Sequence, residues 1–202
     1  MNQSECALLF LAAGSSRRFG QNKLLMQDAS GDYLAIQSAK LYAHLKHKWA
    51  AITPNQMALI APLCSLGYQV CIIKESPSLS YSLQALLEKT SGFPSRLVAL
   101  ADMPSIKRET IDQLVMLLSE GRQLVAPLFK GKRGNPIGFG EAYLPAVREL
   151  REDHGLRKIL QEQHDKVTWL TVEDPGIHFD IDEFTDWLSY VPQGEPTRQS
   201  PY

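Results

Sequence analysis

Apolar runs alternate with helical periodicities along the chain. Continuous apolar runs, typical of strands buried on both faces, occupy residues 6–12, 68–74 and 96–101. Elsewhere apolar residues recur at the spacing of helices that present one face to a core. The remaining predicted strands are 49–53, 123–129 and 166–173, and the predicted helices are 33–45, 55–66, 80–89, 107–119, 141–150, 156–163 and 183–190.

Alternating strands and helices predict an α/β fold. We expect a single three-layer, doubly wound, Rossmann-like sheet that is mainly parallel, with helices on both faces. Residues 1–190 should form one domain, and the polar, proline-rich residues 191–202 a flexible C-terminal tail. Pro127 lies inside a predicted strand, which indicates an edge strand or a bend there.

The overall charge excludes broad classes of partner. Lysine and arginine number 21 against 22 acidic residues, so a general affinity for nucleic acid or an anionic membrane is not expected. The chain shows no leader pattern and no apolar run of membrane-spanning length. Cys6, Cys64 and Cys71 form no Cys-x-x-Cys pair. We therefore expect a cytoplasmic protein in which Cys6 and Cys71 are buried thiols.

Candidate chemistry begins directly after the first strand, in the segment LLFLAAGSSRRFGQNKLL. Small residues that allow a tight turn are followed there by cations: Gly14, Ser15, Ser16, Arg17, Arg18, Gly20 and Lys23. In open α/β sheets ligands bind beyond the carboxyl ends of strands, and such a loop can hold phosphate oxygens with its backbone N–H groups and cations. The alternative is a polar surface turn. Neither the P-loop nor the dinucleotide glycine fingerprint is present, and the missing fingerprint disfavours an NAD-binding oxidoreductase.

Carboxylates follow at two other places. Asp102 comes directly after the buried strand 96–101, and Asp180 and Asp182 are two residues apart, so in extended chain they project from one face. Carboxylates at the edge of the sheet that holds a phosphate loop suit Mg²⁺. The alternative roles are a turn or helix cap for Asp102 and the cap of the last helix for Asp182.

The first of these segments resembles a family signature. LAAGSSRRFGQNKLL is similar to the Leu-Ala-Ala-Gly-x-Ser-x-Arg-x-Gly-x-x-Lys motif of the MobA-like nucleotidyltransferases, closest to the branch with molybdenum cofactor cytidylyltransferase. Arg17 falls on a variable position. The resemblance implies that the loop wraps a nucleoside triphosphate and that Arg18 and Lys23 neutralise its charge. The implied nucleotide-binding residues are Leu11, Ala12, Ala13, Gly14, Ser15, Ser16, Arg18 and Lys23.

Two acidic motifs extend the resemblance. Ala-Asp-Met-Pro is similar to the family's Gly-Asp-Met-Pro, which implies that Asp102 is a metal ligand. Asp180-Ile-Asp182 is similar to Asp-x-Asp-Thr-Pro-Glu-Asp, which implies that Asp182 is the second ligand with Asp180 beside it. Glu183 and Phe184 replace the Thr-Pro of that motif.

Three further segments resemble the family's substrate-contacting stretches. SPSLSYSLQALL implies nucleotide contacts from Ser80 and Ser82, although Ser78 or Ser80 could instead cap the helix. KRGNPIGFG implies acceptor contacts from Gly134 and Pro136, and a plain turn between strands is the alternative. DHGLRKIL implies acceptor contacts from Asp153 and Arg157.

The resemblance implies a Mg²⁺-dependent nucleotidyltransferase. CMP from CTP would pass to a molybdopterin-type phosphate and release pyrophosphate, with Lys23, Arg18 and Asp102 as catalytic residues. A molybdoenzyme or its chaperone is the expected protein partner. The alternatives are transfer to a sugar phosphate or another small phosphate, and a non-catalytic nucleotide-binding module.

Overall fold

An eight-stranded sheet forms the centre of the molecule. The computed structural model describes residues 6–14, 22–151 and 155–190. The strands are β1 Cys6–Leu11, β2 His47–Ile52, β3 Gln69–Ile72, β4 Ser95–Leu100, β5 Leu124–Phe129, β6 Lys132–Arg133, β7 Ile137–Gly140 and β8 Thr168–Thr171.

Most of the strand pairs are parallel. The order is β3-β2-β1-β4-β7-β5, with β8 on the far side of β5 and β6 beside the last residues of β5. β7 runs antiparallel to both β4 and β5, and β6 runs antiparallel to β5. The other neighbours, including β1 with β2 and with β4, are parallel. The predicted fold class, a doubly wound and mainly parallel sheet, is confirmed.

Helices cover both faces of the sheet. They are α1 Leu34–Lys40, α2 Ile60–Ser65, α3 Leu79–Lys89, α4 Arg108–Ser119, α5 Leu144–Arg148, α6 Gly155–Glu162 and α7 Phe184–Tyr190. Leu8 and Phe10 of β1 pack with α1, α2 and α4, whereas Leu9 and Leu11 pack with α3, α5 and α6. Both faces of β1 are therefore buried, which explains its continuous apolar run. No described helix is long and apolar enough to cross a membrane.

The sequence-based boundaries fail at three helices and two strands. The helix predicted at 141–150 is a 3₁₀ segment, Glu141–Tyr143, followed by α5 Leu144–Arg148. The helix predicted at 33–45 ends at Lys40, and the one predicted at 55–66 is a 3₁₀ segment, Pro54–Leu59, followed by α2. Thr53 is the residue before that segment, and its amide donates to Oε1 of Gln56 at 2.8 Å. Strands β6 and β7 are not predicted, because their segment matches the family's acceptor stretch or a plain turn, β6 has two residues, and β7 has four, two of them glycine.

Pro127 lies in β5, which is not an edge strand, because it pairs with other strands on both sides. β5 pairs with β7 through Leu124 and Val125, and with β6 through Leu128 and Phe129. The Pro127 carbonyl accepts from the Gly134 amide at 2.9 Å, so this proline faces the point where one partner strand replaces the other. A residue without an N–H removes a ladder bond there at little cost.

A buried arginine holds the sheet at the amino end of β4. Arg96 is fully buried and donates to Oε1 of Glu141 at 2.8 Å and to the Thr90 carbonyl at 2.6 Å. This ion pair joins β4, the end of α3 and the residue that follows β7. It accounts for a charged side chain inside a strand that otherwise reads as apolar.

The cysteine prediction is wrong in part. Cys6 and Cys71 are only partly buried, and Cys64 is exposed on α2. Burial nevertheless raises the pKa of the Cys6 thiol to about 11, against the opposing effects of Ser95 and Arg96.

Candidate active site

A cleft of about 400 Å³ opens beyond the carboxyl ends of β1 and β4. Leu11 and Gly14 border it from β1, and Leu100, Ala101 and Asp102 from β4. Its other walls come from the start of α3, the start of α6 and the segment before α7. The cleft thus lies where open α/β sheets bind ligands.

Lys23 joins two carboxylates at the floor of this cleft. Its Nζ lies 2.8 Å from Oδ2 of Asp102 and 2.9 Å from Oδ1 of Asp182. The backbone that carries Lys23 is held locally, because the side chain of Asn22 accepts the Leu24 amide at 3.2 Å and Leu24 is buried. The cation therefore sits between residues that are far apart in sequence.

Hydrogen bonds to the backbone hold Asp102 and Asp182 in place. The Ile181 amide donates to the Asp102 carbonyl at 3.0 Å, so the segment 180–182 lies against the end of β4. The carboxylate of Asp186 accepts the amides of Asp182 at 3.0 Å and Glu183 at 2.8 Å. Asp186 supports this turn although the Thr-Pro of the family motif is missing.

The cleft has a strong local field. Burial alone would lower the pKa of Lys23, but the Asp102 and Asp182 carboxylates outweigh it and raise this pKa above its usual value. Burial and the nearby Asp102 and Asp182 charges raise the pKa of Asp180. The three carboxylates thus repel one another, and Lys23 neutralises only one charge. A second, divalent cation would be favoured here.

The donor set fits a magnesium ion that is completed by substrate. Among the described residues no group of three or more His, Cys, Asp or Glu side chains is arranged to hold a metal. Mg²⁺, however, is commonly held by one or two carboxylates together with phosphate oxygens and water. Oδ1 of Asp102 is buried and has no hydrogen-bond partner in the described part of the chain. An oxygen in that condition is available to a cation.

A second pocket adjoins the cleft. It has a volume of about 260 Å³ and is walled by β6, the segment after it, the start of α6 and residues 177–180. Asn135, Ile137, Arg157 and Asp180 line both cavities. A molecule in the second pocket would therefore lie against one in the cleft.

Comparison with known proteins assigns the family. Residues 8–167 match the family described as the MobA-like NTP transferase domain. The chain belongs to this family. The MobA-like chain is also 30% identical over 188 residues to the purine catabolism protein PucB of Bacillus subtilis, covering 86% of this chain and 90% of PucB.

Solved structures share the fold of the MobA-like chain. Rv0371C of Mycobacterium tuberculosis, solved in complex with manganese, has a TM-score of 0.78 and 18% identity, over 94% of this chain and 100% of that one. A nucleotidyl transferase from Methanothermobacter has a TM-score of 0.76 and 18% identity, over 93% and 96%. The family makes this protein a nucleotidyltransferase of the MobA-like kind.

The structure brings only some of the predicted nucleotide-binding residues to the cleft. Leu11, Gly14 and Lys23 line it, and Ala12 and Ala13 are buried beside them. Ser80 and Ser82 are buried in α3, which lines the cleft with Leu79 and Leu83 instead. The hydroxyl of Ser82 lies 2.6 Å from that of Ser76, and Ser78 caps the helix. Ser15, Ser16 and Arg18 lie outside the described residues.

Only some of the predicted acceptor residues line the second pocket. Gly134 and Arg157 line the second pocket, and Asp153 lies outside the described residues. Pro136 follows a cis peptide bond and is not among the pocket-lining residues. A Cβ on Gly134 would lie 2.5 Å from the Ile177 carbonyl oxygen, so this glycine is needed where the two backbones meet.

Sequence reasoning missed several residues that shape the site. The side chain of Gln56 donates to the Gly14 carbonyl at 3.1 Å and so holds the end of β1. Asp174 is buried and accepts the amides of Lys107 and Gly176 at 2.8 and 3.0 Å. Asp186 matches the last aspartate of the quoted family motif, which was the available signal. Gln56 and Asp174 carry no such signal, because their partners are distant in sequence.

Proposed function

We propose that this protein transfers CMP from CTP to the phosphate of a molybdopterin-type acceptor and releases pyrophosphate in a Mg²⁺-dependent reaction. The observation that carries the proposal is the meeting of Lys23, Asp102 and Asp182 at the carboxyl ends of β1 and β4. Two carboxylates and one lysine at the floor of a cleft are suited to a metal-bound triphosphate.

Each residue has a definite task in this scheme. Asp102 and Asp182 would hold Mg²⁺, which supplies charge stabilisation to the phosphate oxygens when it is bound. Lys23, and Arg18 by resemblance to the family, bind the triphosphate. The acceptor oxygen attacks the α-phosphorus, the bond to the bridging oxygen breaks, and pyrophosphate leaves with the electron pair. The protein contributes positioning and electrostatics, so no covalent enzyme intermediate is required.

The choice of metal, nucleotide and acceptor has separate support. A manganese complex of the similarly folded Rv0371C is consistent with a divalent ion in this fold. The Ala-Ala-Gly of the first loop resembles the cytidylyltransferase branch, which favours CTP. That branch also favours molybdopterin over a sugar phosphate, and a molybdoenzyme or its chaperone as the protein to which the product passes.

Pyrophosphate release tests the whole proposal. The protein is mixed with each nucleoside triphosphate, Mg²⁺ and either molybdopterin cofactor or a sugar phosphate. We expect release with CTP and molybdopterin. Asp102→Asn should lose at least about 100-fold in rate, the scale of removing one transition-state contact, whereas Asp165→Asn, at a fully exposed site, should match wild type. Nucleotide binding without pyrophosphate from any acceptor would instead indicate a binding module.

A further inference from the structure

We propose that Arg133 and Arg157 form an anion site in the second pocket, and that it binds the acceptor through a phosphate monoester group. This inference rests on the proposed function, because it names the substrate group that the same site would take. Arg157 matches a family motif, but nothing in the sequence singled out Arg133.

Two arginines line the pocket from different elements. Arg133 belongs to β6, and Arg157 to the first turns of α6. Gly134, which follows Arg133, donates to the Pro127 carbonyl at 2.9 Å, and the next amide, of Asn135, donates to the Ile177 carbonyl at 3.0 Å. The backbone on the β6 side is therefore fixed, so the pocket wall there is rigid.

Neither arginine side chain is neutralised by the protein. In residues 6–14, 22–151 and 155–190 no ion pair or side-chain hydrogen bond is made by Arg133 or Arg157. Lys23 in the adjoining cleft differs, because Asp102 and Asp182 both contact it. Two unpaired planar forks in one concave pocket are suited to a tetrahedral oxyanion, since each can bind two of its oxygens.

The other polar groups of the pocket do not offer a competing cation. Nε2 of His178 lies 3.0 Å from the Lys132 carbonyl oxygen. Because a carbonyl only accepts, Nε2 carries the hydrogen and is already used. Asp180, like Arg157, lines both the pocket and the cleft, so its carboxylate opposes an anion there and the two arginines must outweigh it. Among the described lining residues, the permanent cations of the anion site are therefore the two arginines.

A phosphate monoester also suits the reaction. Such a group has three terminal oxygens and a second pKa near 6, so at neutral pH it is largely a dianion. Two arginines can hold some of the phosphate oxygens while another attacks the α-phosphorus where the pocket meets the cleft. The new P–O bond forms as the bond to pyrophosphate breaks, and no proton has to be removed. The nucleophile is thus available without a general base.

Inorganic phosphate is the probe that tests the site. Its dissociation constant is measured by calorimetry at pH 7.5 for the whole protein, in the absence of nucleotide, and that of CTP is measured in parallel. Arg133→Gln and Arg157→Gln should each weaken phosphate binding by about tenfold or more, the scale of a hydrogen bond to a charged group. Arg133→Gln should also leave CTP binding within about twofold, because Arg133, unlike Arg157, does not line the cleft. Arg133→Lys should fall between wild type and Arg133→Gln, because charge remains and the fork is lost.

Two control variants test whether phosphate binds in the second pocket or in the cleft. Arg122→Gln removes the same charge from an exposed turn after α4 and should change nothing. Lys23→Met would weaken phosphate binding only if the anion sat in the cleft. The proposal is overturned if wild type binds no phosphate, if Lys23→Met and not Arg133→Gln weakens it, or if Arg133→Gln weakens CTP equally. Thermal unfolding checks that each variant is folded. A protein that forms no pyrophosphate can still pass this binding test, so the two proposals fail separately.

Discussion

Gly176 sits where a single added methyl group would force two backbone segments apart. A Cβ at this position would overlap the carbonyl oxygen of Ser105 and lie 2.5 Å from its carbon and 2.9 Å from the Ile106 nitrogen. All three atoms are backbone. The φ of Gly176 lies outside the positive range, so an alanine has no dihedral strain there and its cost is purely steric.

The loss of stability in Gly176→Ala depends on how little the two backbones can move. Asp174 binds the amides of both Lys107 and Gly176, so the segments in contact are tied together. Overpacking typically costs about 1–3 kcal/mol, and rigid neighbours place Gly176→Ala at about 3 kcal/mol. For a domain of this size each kcal/mol lowers the melting temperature by about 2–4 °C. We therefore expect a fall of about 6–12 °C in circular dichroism melting.

Gly92→Ala is the matched control. Gly92 has no positive φ and no atom within 4 Å of an added Cβ. Alanine there should be neutral or should stabilise by about 0.4–1 kcal/mol through the unfolded chain. If Gly176→Ala melts within about 1 °C of Gly92→Ala, well below the expected shift, the close approach of these backbones does not exist in solution. Mn²⁺ binding should also weaken in Gly176→Ala, because Asp182 lies six residues further along the displaced segment.

Three further outcomes are expected. Lys23→Met removes the cation that competes with metal for the Asp102 and Asp182 carboxylates. Electron paramagnetic resonance should therefore show Mn²⁺ binding about tenfold tighter without nucleotide, or about 1.4 kcal/mol, while turnover falls. Equal Mn²⁺ affinity would contradict the position of Lys23 between the two carboxylates. Asp186→Ala should weaken Mn²⁺ binding about 10–100-fold by releasing the Asp182 turn. At pH 8 iodoacetamide should label exposed Cys64 first, and Cys6 should react only as the pH nears its pKa of about 11, because only the thiolate is nucleophilic. Fast labelling of Cys6 would count against its burial.

The elements that converge on the cleft could be anticipated because they follow a local rule. Buried strands at 6–12 and 96–101 are visible from their apolar runs, and parallel strands place their carboxyl ends at one edge of the sheet. Lys23 and Asp102 were therefore expected on the same side. The spacing from Asp180 makes Asp182 a candidate ligand, but only the family resemblance links it to Asp102, because nothing in its own segment reveals that Ile181 bonds to Asp102.

Features that depend on distant partners could not be anticipated. β7 is buried by pairing with β4 and β5, not by a pattern of its own, so its glycines read as a turn. The close approach of Gly134 to Ile177, which leaves no room for a Cβ, has no local signal either, because the two residues are distant in sequence. Pro127 predicts an edge or a bend from the sequence, whereas the change of partner along β5 is a property of the whole sheet.

The position of the buried Arg96 separates two properties of this protein. Arg96 lies six residues before Asp102, which in extended chain is about 20 Å. Its partners, Glu141 and Thr90, lie at the same end, and neither lines the cleft or the second pocket. Substitutions around Arg96 should therefore change resistance to heat and leave substrate affinity intact. The end of the sheet opposite the cleft is accordingly where substitutions can raise thermal stability without changing substrate selectivity.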